Sequence, residues 1–176
     1  NGKGEVYAYQ YSNGNWSMMG SSYVGVGNST SNRFGHRVRL SEDGTILTAS
    51  AYGGTSFVKS FTWNGSSWSQ RGGSFGYSNH GGNWGLDMSR DGTLVGVSNY
   101  GGGAQIFEFS NNSWSQKQSF PGVGRDILLA MDQWGTRMTY GSENNSSNAV
   151  RVYDIAYSTS STITGYEDTI TDVSAN

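Results

Sequence analysis

The chain writes one six-residue phrase three times. "LSEDGT" at 40–45 returns as "MSRDGT" at 88–93 and, altered, as "MDQWGT" at 131–136. The copies start 48 and then 43 residues apart. A second marker keeps step: Trp16, Trp68 and Trp114 each stand before a serine, 52 and then 46 residues apart. Self-similarity at a period near 45 residues confines the chain to repeat architectures, in which each unit is one supersecondary element stacked on the next.

Inside each period the polarity alternates residue by residue. "GEVYAYQY" sets Val6, Ala8 and Gln10 against Tyr7, Tyr9 and Tyr11, and "FVKSFTW" sets Phe57, Lys59, Phe61 and Trp63 against Val58, Ser60 and Thr62. That is the two-residue period of a strand. No window carries the i, i+3, i+4, i+7 stripe of an amphipathic helix, so almost no helix is expected. Asn13-Gly14, Asp43-Gly44, Asn64-Gly65 and Asp91-Gly92 are dipeptides that tolerate positive φ and mark hairpins. In the third copy Trp134-Gly135 keeps the glycine and drops the side-chain acceptor. Each repeat then divides into an inner hairpin around the Asp-Gly turn and an outer hairpin that ends in the Trp strand. The second inner strand is poor in bulk ("TASA", "GVSN", "TYGS"), as closely approaching sheets require. Four strands in meander order make a propeller blade.

The expected fold is therefore an all-β β-propeller of four-stranded antiparallel blades, about three and a half in this chain. An outer hairpin at 4–20 comes first. Blades follow at about 33–72, 82–120 and 125–163, so the repeats occupy 1–160 and leave 161–176 as a tail or closing strand. Trp16, Trp68, Trp114, Asp43, Gly44, Asp91 and Gly92 are the structural markers of the repeat. The ends do not close arithmetically, because the first hairpin has no inner partner. Three completions stand open: a longer propeller of which this is a part, a tail strand added to the first half-blade, or chains that complete one another as an oligomer.

Composition removes several classes of function. Of 176 residues only 14% are charged, with a formal net charge of −2, which gives nucleic acid no basic face. The one basic cluster, Arg33, His36, Arg37 and Arg39, reads as decoration of a single strand. With no cysteine there is neither a disulfide nor a Cys-based zinc site. No run approaches the roughly 20 apolar residues of a membrane helix, and no membrane insertion is expected. Aromatic residues make up 14%, in a background of Ser, Asn, Gly and Thr, a neutral polar surface associated with extracellular, cell-surface or virion proteins.

The run "RFGHRVRLSEDGTILTASA" followed by "FVKSFTWNGSSWSQ" resembles the FG-GAP-type propeller repeat of bacterial surface proteins and large virus or phage proteins. The match lies in Phe34, Gly35, Ser41, Asp43, Gly44, the strand from Phe57 to Trp63, Trp68 and Gln70. The second copy keeps Ser89, Asp91, Gly92, Trp114 and Gln116, with Trp84-Gly85 shifted relative to Phe34-Gly35. The third keeps little beyond Gly135. The resemblance implies a propeller with surface, adhesive or structural roles and implies no reaction. The calcium loop of its integrin-like branch is dense in Asp, whereas each turn here offers one, so no metal and no cofactor are expected.

No catalytic set emerges. The two histidines, His36 and His80, have no metal-ligand spacing, and no Gly-x-Ser-x-Gly elbow occurs. The aromatic residues of glycine-rich loops remain as binding candidates: Tyr52, Tyr100, Tyr77, His80 and Trp84. Tyr52 and Tyr100 follow equivalent strands, each before Gly-Gly, and are expected exposed on one rim, one blade apart. The expectation is a non-enzymatic structural or adhesive module. Its partners would be other subunits of an assembly or surface glycans, in an oligomer or as part of a longer chain. A secreted carbohydrate-active enzyme or lectin-like sugar-binding domain is the alternative.

Overall fold

A computed structural model describes residues 2–20, 24–27, 31–53, 55–78, 82–101, 103–122, 125–143, 150–155 and 162–163. Among them there is no helix. The first unit is built from β1 (Glu5–Val6), β2 (Tyr9–Ser12), β3 (Asn15–Met18) and β4 (Gly25–Val26). β2 pairs with β3 and β1 with β4, so one antiparallel hairpin runs on past the break at Ala8 and Met19. Asn13 and Gly14 both take positive φ, at 50° and 82°, the geometry of a two-residue hairpin turn.

Three four-stranded antiparallel meanders follow. The first holds β5 (Arg37–Leu40), β6 (Ile46–Ala51), β7 (Phe57–Trp63) and β8 (Trp68–Gln70). The second holds β9 (Gly85–Met88), β10 (Leu94–Asn99), β11 (Gly103–Ser110) and β12 (Ser113–Phe120). The third holds β13 (Arg125–Met131), β14 (Arg137–Glu143), β15 (Val150–Asp154) and β16 (Thr162–Ile163). Among the described residues these are the blades of a β-propeller, three in number behind a half-blade, and they form no closed ring.

The core lies between the sheets. Val6, Ala8 and Val24 of the hairpin pack on Leu47, Ala49, Ala51, Phe57 and Phe61 of the first blade. Val58 and Phe75 of the first blade pack on Leu86, Met88, Val95, Val97 and Phe107 of the second. Ala104, Ile106 and Phe120 of the second pack on Leu129, Met138, Tyr140 and Ile155 of the third. Small side chains on the second strand allow this approach: Thr48, Ala49, Ser50 and Ala51 are all fully buried. Tyr140 breaks that rule, fully buried in β14 with its hydroxyl donating to Pro121 O at 2.7 Å and lying 3.1 Å from Tyr153 Oη.

The thrice-written phrase forms the turn of each inner hairpin. In the first, the Thr45 N–H and hydroxyl and the Ser41 hydroxyl all donate to the Asp43 carboxylate, while Ser41 Oγ accepts from Ile46 N at 2.9 Å. Ser89, Asp91, Thr93 and Leu94 repeat the set. Only the glycine takes positive φ, near 70° in Gly44, Gly92 and Gly135, so the Asp contributes its carboxylate and not its backbone tolerance. The third turn has not lost its acceptor, as the sequence suggested: Asp132, at the serine position, accepts from Thr136 N at 2.6 Å, the Thr136 hydroxyl and Arg137 N. One aspartate there does the work divided elsewhere between Ser and Asp.

These turns also join blade to blade. Glu42 N donates to Arg90 O at 2.8 Å, and Arg90 N donates to Gln133 O at 2.7 Å. The side chains of Glu42 and Arg90 form an ion pair along the same row. Further in, Arg39 Nε meets Asp87 Oδ1 at 2.8 Å, and Asp87 Oδ2 accepts from Met131 N at 2.7 Å. The repeated phrase thus builds one rim of the propeller, and the opposite rim carries the loops.

Candidate functional site

On that opposite rim the pairing registers align two loop positions that the sequence did not. Arg37 opposes Ser50 in the first blade, and Gly85 opposes Ser98 in the second. His36 N donates to Ser50 O and Trp84 N to Ser98 O, the equivalent carbonyls of the two blades. His36 and Trp84 are therefore structural equivalents one blade apart. Tyr52 and Tyr100 follow the paired second strands in the same way. Two repeat-related pairs of rings stand side by side.

They meet across the seam between the blades. The His36 ring centroid lies 5.1 Å from Tyr52 and 5.5 Å from Trp84, the latter edge to face. Tyr52 and Trp84 are 4.7 Å apart, and Trp84 and Tyr100 are 6.5 Å apart. Tyr52 is half-buried in this cluster, whereas Tyr100 is 40% exposed. Gly82 keeps the cluster open, since a Cβ there would come within 2.6 Å of the Tyr52 ring. Two cations flank it. The Arg33 guanidinium lies over Tyr52 at 5.7 Å, and Arg37 Nε donates to Trp84 O at 3.1 Å.

Burial, and next the charge of Arg37, push the His36 pKa below its ordinary value. Arg33 adds to this, and a backbone hydrogen bond with Asn83 opposes it. The imidazole is neutral at pH 7. Its Nδ1 is buried with no hydrogen-bond partner, as are Trp84 Nε1 and Ser56 Oγ nearby. Buried polar atoms of this kind are costly and mark places where a ligand or water completes the site.

Of the other candidates, Tyr77 is half-buried against the core of the first and second blades, and burial raises its hydroxyl pKa to about 12. Tyr77 N and O bond the side chain of Asn83, which ties its loop to the cluster from behind. His80 lies outside the described residues. Trp68 and Trp114 are half-buried at equivalent places, but Trp16 is 70% exposed. Among the described residues no three His, Asp or Glu side chains gather as a metal-binding group. Sequence reasoning dismissed Arg33, His36 and Arg37 as strand decoration. The missed signal was the register: counted from the Asp-Gly turns, His36 falls where Trp84 does.

The fold defines the class as a segment of a β-propeller with a polar-aromatic cluster at a blade seam. Solved structures share the fold. A "putative 6-phosphogluconolactonase" from Bacteroides uniformis superposes with TM-score 0.59 at 17% identity, over 84% of this chain and 43% of that one. A second protein of that name, from Bacteroides fragilis, gives TM-score 0.58 at 16% identity, over 82% of this chain and 47% of that one. A protein from Lactobacillus plantarum gives 0.52 at 18%, over 84% and 44%. The chain spans less than half the length of these structures. No protein-family model matches it, and no curated protein does.

These similarities correct the expectation of a non-enzymatic structural or adhesive module. Two of the structures sharing the fold carry the name of an enzyme, and none is named for attachment to proteins or glycans. The lectin-like alternative gains nothing from them either.

Proposed function

We propose that the His36 cluster is the reactive site of a propeller hydrolase acting on a small anionic lactone. One observation carries the reading: a neutral, half-buried imidazole with an unpartnered Nδ1, flanked by two guanidinium groups. An unprotonated imidazole is the form a general base needs. In the reaction His36 takes a proton from water as the water oxygen adds to the lactone carbonyl. The ring C–O bond then breaks, and the departing alkoxide takes that proton from the imidazolium. Lactone and water become one hydroxy acid. Arg33 and Arg37 hold the substrate's anionic group or the developing oxyanion, where fixed positive charge is most effective. Trp84 and Tyr52 form the apolar wall. The enzyme name borne by two structures of this fold supports the choice of a lactone.

The test is hydrolysis of 6-phosphogluconolactone, followed by proton release against the spontaneous rate, beside unphosphorylated gluconolactone. Turnover is expected, falling at acid pH as His36 protonates. His36→Gln should lose about 100-fold or more, the low end of what a general base contributes. Arg37→Ala should harm the phosphorylated substrate more than the plain one. Hydrolysis no faster than spontaneous, or an unimpaired His36→Gln, overturns the reading.

A further inference from the structure

Two seams among the described residues share one device, an aromatic pair of one unit covered by the unit in front of it. The hairpin and the first two blades each bear an aromatic pair across two neighbouring strands: Tyr11–Trp16, Trp63–Trp68 and Phe109–Trp114, with ring centroids 5.3, 5.5 and 5.2 Å apart. The unit in front roofs the pair behind it. Over Phe109–Trp114 sit the Arg71 guanidinium, 3.8 Å from the Phe109 centroid, and Phe75, stacked on Trp114 at 4.3 Å. Trp114 Nε1 also donates to Arg71 O at 2.9 Å. Over Trp63–Trp68 sits Gly20, whose Cβ would stand 3.5 and 3.9 Å from the two rings.

Among the described residues no side chain is found over Tyr11–Trp16. Tyr11 is 58% and Trp16 70% exposed. Tyr7, Tyr9 and Met18 share that face and are 47%, 54% and 40% exposed. The other face of the hairpin, through Val6 and Ala8, is the one buried on the first blade. Five large apolar side chains on one small sheet are an interaction surface and not scattered exposure.

The far end shows the complement. Register makes Val58, Ala104 and Val150 equivalent. Val58 and Ala104 are fully buried against the following blade, but Val150 is 62% exposed, with Leu128 66% exposed beside it. At the seam between the first and second blades, Val58 shares a core with Phe107, and the register equivalent of Phe107 in the hairpin is Tyr9.

We propose that the hairpin face of one copy, Tyr9 with Tyr11 and Trp16, seats on the Val150 face of the third blade of a second copy. The contact repeats the outer half of a seam the chain already makes twice between its own blades. It is heterologous, and two such seams close a ring of two copies. This inference stands apart from the proposed chemistry, because Trp16 and Val150 are remote from His36 in the fold.

Sedimentation equilibrium over a range of concentrations tests it. The chain should form a dimer and nothing larger. Trp16→Asp and Val150→Asp, each on an exposed position, should each weaken dimerisation about 30-fold or more. A mixture of the two variants should recover part of the loss, since the mixed pair keeps one unaltered seam. Circular dichroism identical to the parent shows that the variants fold. A monomer at every concentration overturns the proposal. So does a dimer sensitive to Trp16→Asp but not to Val150→Asp, which would mean aromatic face on aromatic face.

Discussion

The seam between the hairpin and the first blade and the seam between the first and second blades use the same strand positions with different results. At the full seam, Leu86 and Met88 of the innermost strand are 1% and 8% exposed. Their equivalents in the first blade, Val38 and Leu40, are 36% and 55% exposed. Farther out the two seams agree: Ala49, Phe57 and Phe61 are as well covered as Val97 and Phe107. Half a blade covers half a face. Burial here belongs to the neighbour and not to the residue, so two similar side chains at one repeat position have different energetic weights.

The largest expected contrast lies in those inner strands. Leu86→Ala removes a fully enclosed side chain and should cost about 2–5 kcal/mol, the range for buried leucines. Leu40→Ala makes the same chemical change on an open face and should cost under about 1 kcal/mol. Urea denaturation of both variants measures the difference. Equal losses would mean that something else covers Leu40.

A finer contrast uses the turn glycines. Gly44 and Gly92 have φ of 70° and 69°, so alanine at either position bears the same left-handed cost of about 1–2 kcal/mol. Their surroundings differ. A Cβ on Gly92 would lie 2.8 Å from Ile46 of the blade in front, whereas Gly44 has nothing within 4 Å. Gly92→Ala should therefore exceed Gly44→Ala by a further ~1–3 kcal/mol of overpacking. Thermal melts of the pair isolate the interblade contact from the turn conformation. Identical melting shifts would remove the seam from the account of why the phrase is repeated.

Much of this was readable from residues alone. The period, the alternation and the glycines that end each turn specify antiparallel blades, because each is a local requirement. What the sequence hid was relational. Trp84-Gly85 looks like a displaced Phe34-Gly35, and strand pairing gives its true match, His36, which a count back from each Asp-Gly turn also reaches. Trp134 looks like a lost turn acceptor, but Asp132, two residues earlier, accepts from the Thr136 N–H and hydroxyl and from Arg137 N. Trp16 is written like Trp68 and Trp114, and nothing in its neighbours in sequence says that its cover is missing. The function expected from the FG-GAP-type resemblance rested on architecture, and architecture is shared by proteins with quite different names.

The smallest expected effect bears on the upper rim of the full seam, where His36 is wedged between the blades. Its pKa in the folded chain lies below the ordinary 6.5 of an unfolded histidine, chiefly through burial and then through Arg37. Between the folded pKa and 6.5 the unfolded chain binds more protons than the folded one. Stability therefore rises with pH across that window and is lost as pH falls through it. Above 6.5 both states are neutral at this residue and the dependence disappears. Charging the ring would set a third cation beside Arg33 and Arg37, with Tyr52 and Trp84 closing off water on two sides. Among the described residues the hairpin seam holds no histidine, so this pH-dependent loss should belong to the full seam. Urea midpoints between pH 7.5 and pH 5 should fall in the parent and fall less in His36→Gln, which removes the titration and keeps a polar side chain. Acidic residues titrate lower: the bonds from Ser89 and Thr93 overcome burial and hold Asp91 below the usual carboxylate range, so its loss begins only at more acid pH. An equal slope in parent and His36→Gln would mean that His36 is not held neutral by the seam, and the base proposed for the reaction would lose its physical footing with it.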